Sequence, residues 1–161
     1  MDAALLLGPL YHLTERADRL AALREAARIL KPGGFVFAAA ISRFASALDG
    51  LANELLDDLD FVKIVLQDIQ DGQHRNPFSD RNYFTTAYFH HPTELTSEVE
   101  EAGFQDCHLL ALEGPAGLLQ NFEHYWSDPQ RRETLLTVLQ RLESDPTLIG
   151  ASCHFLAVAH K

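Results

Sequence analysis

The run Leu23-Arg24-Glu25-Ala26-Ala27-Arg28-Ile29-Leu30-Lys31-Pro32-Gly33-Gly34-Phe35-Val36-Phe37-Ala38-Ala39-Ala40-Ile41 holds a helix end, a stop and a wholly apolar strand. Pro32 blocks further helix, and the two glycines permit the positive dihedral angles that reverse the chain. Phe35 to Ile41 has no polar alternation, which predicts a strand covered on both faces. Upstream, Thr14 is placed to cap a helix with the apolar face Ala17, Leu20, Ala21, Leu23, Ala27 and Leu30, its charges outside the stripe. Before it, Ala3 to Leu7 is a second apolar run, closed by Gly8-Pro9. Residues 3–41 therefore predict a strand, helix, strand unit with a parallel sheet and a right-handed crossover.

Downstream, Leu51, Leu55, Leu59, Val62, Leu66 and Ile69 recur at three- and four-residue steps, predicting one long amphipathic helix or two joined ones. Residues 71–90 lose periodicity and combine turn residues with aromatics, as binding loops and lids do. Pro92 opens a helix that stops at Gly103, and a strand follows from Cys107 to Leu112. A short helical segment runs through Leu118, Leu119 and Phe122. Ser127-Asp128-Pro129 starts another helix, with the stripe Leu135, Leu136, Val138, Leu139 and Leu142, and Asp145-Pro146 ends it. Ala151 to Ala159 alternates as a final strand. The whole reads as a single α/β domain.

The chain has 161 residues and a net charge of −10, with no basic run, which disfavours nucleic acid and anionic membrane surfaces. Its apolar runs are too short to cross a bilayer, and Asp2 stands where a signal peptide carries positive charge. Cys107 and Cys153 form no C-x-x-C pair and sit in apolar patterns, so they read as small buried hydrophobes in a reducing cytoplasm. The acidic residues at 57, 58 and 60 read as a solvated helix face. Trp126 reads as core. His90-His91 is an unsuitable metal pair, because neighbours in an extended segment point opposite ways and no third ligand has suitable spacing.

Three elements together resemble the class I S-adenosylmethionine-dependent methyltransferases. Asp2 to Leu13 is similar to the family's fourth strand and following loop. Leu23 to Gly34 is similar to the helix and turn before the fifth strand. Glu101-Ala102-Gly103-Phe104 is similar to the element before the penultimate strands. The resemblance implies a partial Rossmann-like sheet, mostly parallel with an antiparallel last strand. It also implies a helical lid at residues 44–91 and S-adenosylmethionine as cofactor, and the acidic charge balance then favours a small-molecule acceptor over nucleic acid. The family's glycine-rich cofactor loop has no counterpart: the nine glycines contain no G-x-G pair, and the acidic ribose partner is missing too. The expectation is a chain that begins at the fourth strand and is impaired in cofactor binding.

Residues at the carboxyl end of a parallel strand face the ligand in open sheets. Tyr11 and His12 are thereby the leading catalytic candidates, with His12 either a general base or merely a cap for the next helix. Gly8, Pro9 and Leu10 are placed to border the cofactor. Arg43, just past the second strand, is placed either to hold an anionic substrate group or to form a surface salt bridge. His74, Arg75, Tyr88 and His91, in the aperiodic region, are candidates for an acceptor pocket or for structural roles.

Two readings of function stay open: methyl transfer by the complete protein, or a catalytically silent remnant of the fold that serves as an interaction or structural protein. Ala3 to Leu7 would in either case be an open sheet edge without Lys, Pro or bulge, prone to self-association.

Overall fold

The computed structural model describes residues 1–77 and 83–161. The first strand, β1 (Ala3–Leu6), is followed by a short helix α1 (Pro9–His12), a long helix α2 (Arg16–Ile29) and β2 (Phe35–Ile41). β1 and β2 pair in parallel, Ala3 opposite Phe35 and Leu6 opposite Ala38, so the predicted unit is present. Its turn needs both glycines. Gly33 has φ of +76°, and a Cβ on Gly34 would sit 3.0 Å from the Lys31 carbonyl oxygen and 3.1 Å from that of Asp2.

The helix start differs from the expectation. Glu15, not Thr14, holds the N-cap position of α2, and no side chain caps it; the Thr14 carbonyl is taken instead by Arg19. The buried positions of α2 are Arg19, Leu20, Leu23 and Ala26, while Ala17 and Ala21 face solvent.

Next come α3 (Ala45–Ala52), a 3-10 turn at Leu55–Asp57, α4 (Leu59–Asp71) and a two-residue hairpin of β3 (Gln73–His74) with β4 (Ala87–Tyr88). Residues 78–82 of the expected lid lie outside the described residues. The predicted stripe is overturned here. Glu54 adopts φ of +58°, which breaks the helix and resets its phase. As a result α4 buries Phe61, Ile64, Val65 and Asp68, and Leu59, Leu66 and Ile69 point outward. Asp58 accepts from the Asp60 and Phe61 amides and so caps α4.

The chain continues through α5 (Pro92–Glu101), β5 (Gln105–Ala111), α6 (Phe122–Trp126), α7 (Pro129–Leu142) and β6 (His154–His160). β6 is antiparallel to both β2 and β5, giving the order β1-β2-β6-β5. Three strands thus run one way and the last is reversed, as the resemblance implied. β5 begins earlier than Cys107 and carries a register shift between Gln105 and His108, at Asp106 with φ of +50°. Trp126 is not core: it is 42% exposed and stacks on Phe122. No residue of α7 is buried.

One sheet face carries Ala4, Val36, Ala38, Ala40, Phe155, Ala157 and Ala159 against Leu23, Ala26 and Leu30 of α2 and Leu95 and Val99 of α5. The opposite face follows from the register: Leu5, Phe37 and Val158 form one row, Phe35 and His160 another. It is barely covered, with Leu5 65% and Phe35 48% exposed. Both chain ends rest on the Leu30–Gly34 turn. The Met1 ammonium donates to the Ile29 carbonyl and the Lys31 amide to that of Met1, while the Gly33 amide donates to the Lys161 carbonyl and the Lys161 amide to that of Gly34. Among the described residues no helix is long and apolar enough to cross a membrane.

Candidate functional site

Beneath the carboxyl ends of β1 and β2 lies a buried ionic network. Arg19, 2% exposed, forms a bidentate pair with Glu98, its Nη2 at 2.8 Å. Its Nη1 donates to the Leu13 and Thr14 carbonyls at 3.0 and 2.9 Å. The guanidinium lies 3.7 Å from the centre of the Tyr88 ring. Every face of this cation is therefore satisfied, and the segment after His12 is tied to α5. His90, wholly buried, donates from Nε2 to Glu98 at 3.3 Å. Burial pushes the Glu98 carboxyl up, but hydrogen bonds from His90 and Arg19 prevail and hold it at about 2. Burial pushes the His90 imidazole down.

A second buried group centres on Asp68, which has no exposed surface. Its Oδ2 accepts from Ser46 Oγ at 2.6 Å and from His74 Nδ1 at 2.8 Å, and the His74 ring stacks on Phe89 at 4.5 Å. Asp68 Oδ1 has no partner among the described residues.

Above these groups, where β2 ends and β6 begins, is a cavity of about 320 Å³ lined by Ile41, Ala45, Ser46, Asp49, Phe84, Phe89, Cys153 and His154. A larger groove of about 820 Å³ runs between α5 and the outer edge of β5. The smaller cavity is the candidate site, because open α/β sheets bind ligands at their carboxyl ends and because titratable groups converge there. His154 Nδ1 lies 2.6 Å from Glu113 Oε1, and this carboxylate raises the imidazole's proton affinity. Glu113 also accepts from Ser152 Oγ and the His154 amide. Burial pushes its carboxyl up, yet these bonds bring it to about 2. Burial raises the Cys153 thiol, and Glu113 and Asp49 add to that.

The sequence candidates fall unevenly around the cavity. Tyr11 is half-buried against Ile41, Ala45, Ala87 and Phe89. His12 is exposed, and its ring lies 6.4 Å from Phe84, nearly parallel. Neither lines the cavity; His12 approaches its wall only through Phe84. Gly8 and Pro9 keep accessible surface, but the Leu10 side chain is sealed in the core, so any cofactor contact falls to its neighbours.

Of the five expected substrate contacts none lines the cavity. Arg43 binds Glu94 at 2.6 Å and Tyr88 Oη at 3.1 Å, so the salt-bridge alternative describes it. His74 and Tyr88 belong to the buried networks. Arg75 holds the His74 and Ala87 carbonyls, and His91 stands at the start of α5, bonded to Thr93. Sequence reasoning missed Asp49, Glu113 and His154. A carboxylate and a histidine 41 residues apart give no local signal of their meeting.

Three codirectional strands with a reversed one placed inside the β5 edge, and helices packed on one face, make up a partial Rossmann-like fold of the methyltransferase kind. No family model and no curated protein matches the chain. Among solved structures, it is similar to a SAM-dependent methyltransferase from Methanosarcina mazei, with TM-score 0.54 and 15% identity over 100% of this chain. It is also similar to one from Archaeoglobus fulgidus, with TM-score 0.50 and 13% identity over 100% of this chain. It spans 59% of the length of each.

Proposed function

We propose that this chain forms the acceptor side of an S-adenosylmethionine-dependent methyltransferase that acts on a small molecule. The observation that carries the reading is an open, largely apolar cavity at the sheet's carboxyl end, within a fold shared with such enzymes. S-adenosylmethionine supplies an electrophilic methyl group. The chain's own residues do not form a complete cradle for it: the nine glycines contain no G-x-G pair, and the turn beside β1 offers only Leu7, Gly8 and Pro9. What these residues do is bind and orient the acceptor.

Ala45, Ser46 and Asp49 of α3, with Phe84 and Phe89 around the hairpin, support the reading of residues 44–91 as the lid of the site. Arg43, His74, Arg75, Tyr88 and His91 act as positioning residues that hold the lid in shape. Tyr11 and His12, which reach the cavity wall through the Ile41–Phe89 cluster and Phe84, are assigned to orienting the acceptor. The net charge of −10 favours a small acceptor over nucleic acid, and two free thiols suit a reducing cytoplasm.

The missing glycine pair favours a second reading, a silent remnant of the fold, and one experiment separates the two. Transfer of radiolabelled methyl from S-adenosylmethionine to a panel of small amines, phenols and carbon acids is measured on the natural gene product. Tyr11→Phe and His12→Ala should each lower the rate, by roughly 10²-fold where orientation is lost, and change donor affinity less. Absence of label in every acceptor supports the remnant.

A further inference from the structure

Apart from the weakly donating Cys153 thiol, the side-chain polar atoms that the cavity wall leaves free are acceptors. Ser46 directs its hydroxyl proton to Asp68, so toward the cavity it presents lone pairs. Asp49 keeps one carboxylate oxygen beyond the Asn53 amide that it accepts at 2.7 Å. In the neutral imidazole of His154, Nδ1–H donates to Glu113, which leaves Nε2 as an acceptor with no partner among the described residues. Ile41 and His154 are directly opposed across β2 and β6 and share one sheet face, which places the ring on the side of the cavity. No Lys or Arg lines it among the described residues, and Phe84, Phe89, Ile41 and Ala45 supply the apolar wall.

From this arrangement we infer that the cavity binds an amine on an apolar or aromatic body as its ammonium, held by Asp49, with His154, oriented by Glu113, as the base that takes its proton. The inference rests on the acceptor-site reading and names the class of acceptor. In the step itself the N–H bond of the ammonium breaks, the proton passes to His154 Nε2, and the electron pair stays on nitrogen, which becomes nucleophilic. Glu113 stabilises the resulting imidazolium. Asp49, Glu113 and the Cys153 thiol are the titratable groups around the ring.

The test needs no methyl donor. Histidine ring resonances of the chain are followed through a pH titration with 2-phenylethylamine, 2-phenylethanol or 3-phenylpropanoate. A bound ammonium beside the ring should lower the His154 midpoint by about one pH unit, since like charges disfavour protonation. The alcohol should produce no such fall, and the carboxylate should not bind. Asp49→Asn, an exposed and isosteric change, should weaken amine binding about tenfold, and His154→Gln should abolish the titrating signal while leaving amine binding measurable. An unmoved His154 midpoint at saturating amine, or equal binding of the alcohol, overturns the inference. Amine binding without methyl transfer by the natural gene product would instead count against the methyltransferase reading and leave this site standing.

Discussion

Arg19 shows what one residue holds in this molecule. Its guanidinium joins the loop after His12 to α5 and roofs Tyr88, and Glu98 is its counter-ion. Glu98→Gln leaves that cation buried without an anion, and removing one member of such a pair costs about 3–5 kcal/mol of stability. The pH dependence follows from the same pair. Glu98 titrates at about 2 in the folded chain against an ordinary 4.5, so the unfolded carboxyl takes its proton first. Its stabilisation is present above 4.5 and is lost as pH falls toward 2. His90, held down by burial, adds a decline that starts below its ordinary 6.5. Urea unfolding from pH 7 to 3 should show both declines in the wild type and a flattened acid limb in Glu98→Gln; parallel curves would remove Glu98 as the source. None of this was legible in the sequence, where a charge in α2 signals solvent until its partner, 79 residues away, is known.

At the scale of elements, local signals were read well and phase was not. The strand, helix, strand unit is written in two apolar runs and the Lys31-Pro32-Gly33-Gly34 stop, all of which act on immediate neighbours. The buried face of α4 is out of phase with the leucine spacing because Glu54 turns left-handed, and a glutamate gives no warning of that. The β1 edge follows from the correct part. We propose that it drives self-association: among the described residues β1 pairs only with β2, its run has no Lys or Pro, and Leu5 and Leu7 beside it are more than half exposed. Sedimentation velocity should show concentration-dependent association of the chain, and Leu5→Lys should return it to monomer. A monomer at all concentrations, with slow amide exchange through Ala3–Leu6, would sink the idea.

For the molecule as a whole, the accessible surface measures the same imbalance. The chain exposes 9228 Å² at 18.0 kDa. A folded monomer of that mass typically exposes about 8,000 Å². The excess fits an uncovered sheet face and an α7 with no buried residue, and no composition total could have revealed it, because apolar content does not say which residues find partners. The sequence directs attention to the strand ends, where the candidate cavity lies, but none of the site residues it singles out lines that cavity. The cavity's chemistry was not legible, since Asp49, Glu113 and His154 meet only through the fold. The turn at Leu30–Gly34, which holds both Met1 and Lys161, has a consequence for how the chain tolerates being re-cut. Backbone order along the sheet does not depend on which peptide bond is left open, provided the old ends are near enough to be joined. A linker of about five glycines reaches roughly 17 Å, ample for two ends on one turn. A circular permutant closed by that linker and opened between Gln120 and Asn121, both exposed, should fold with an unchanged amide spectrum in the sheet. Loss of that spectrum would show that the free Met1 ammonium on the Ile29 carbonyl is needed to set β1 in register.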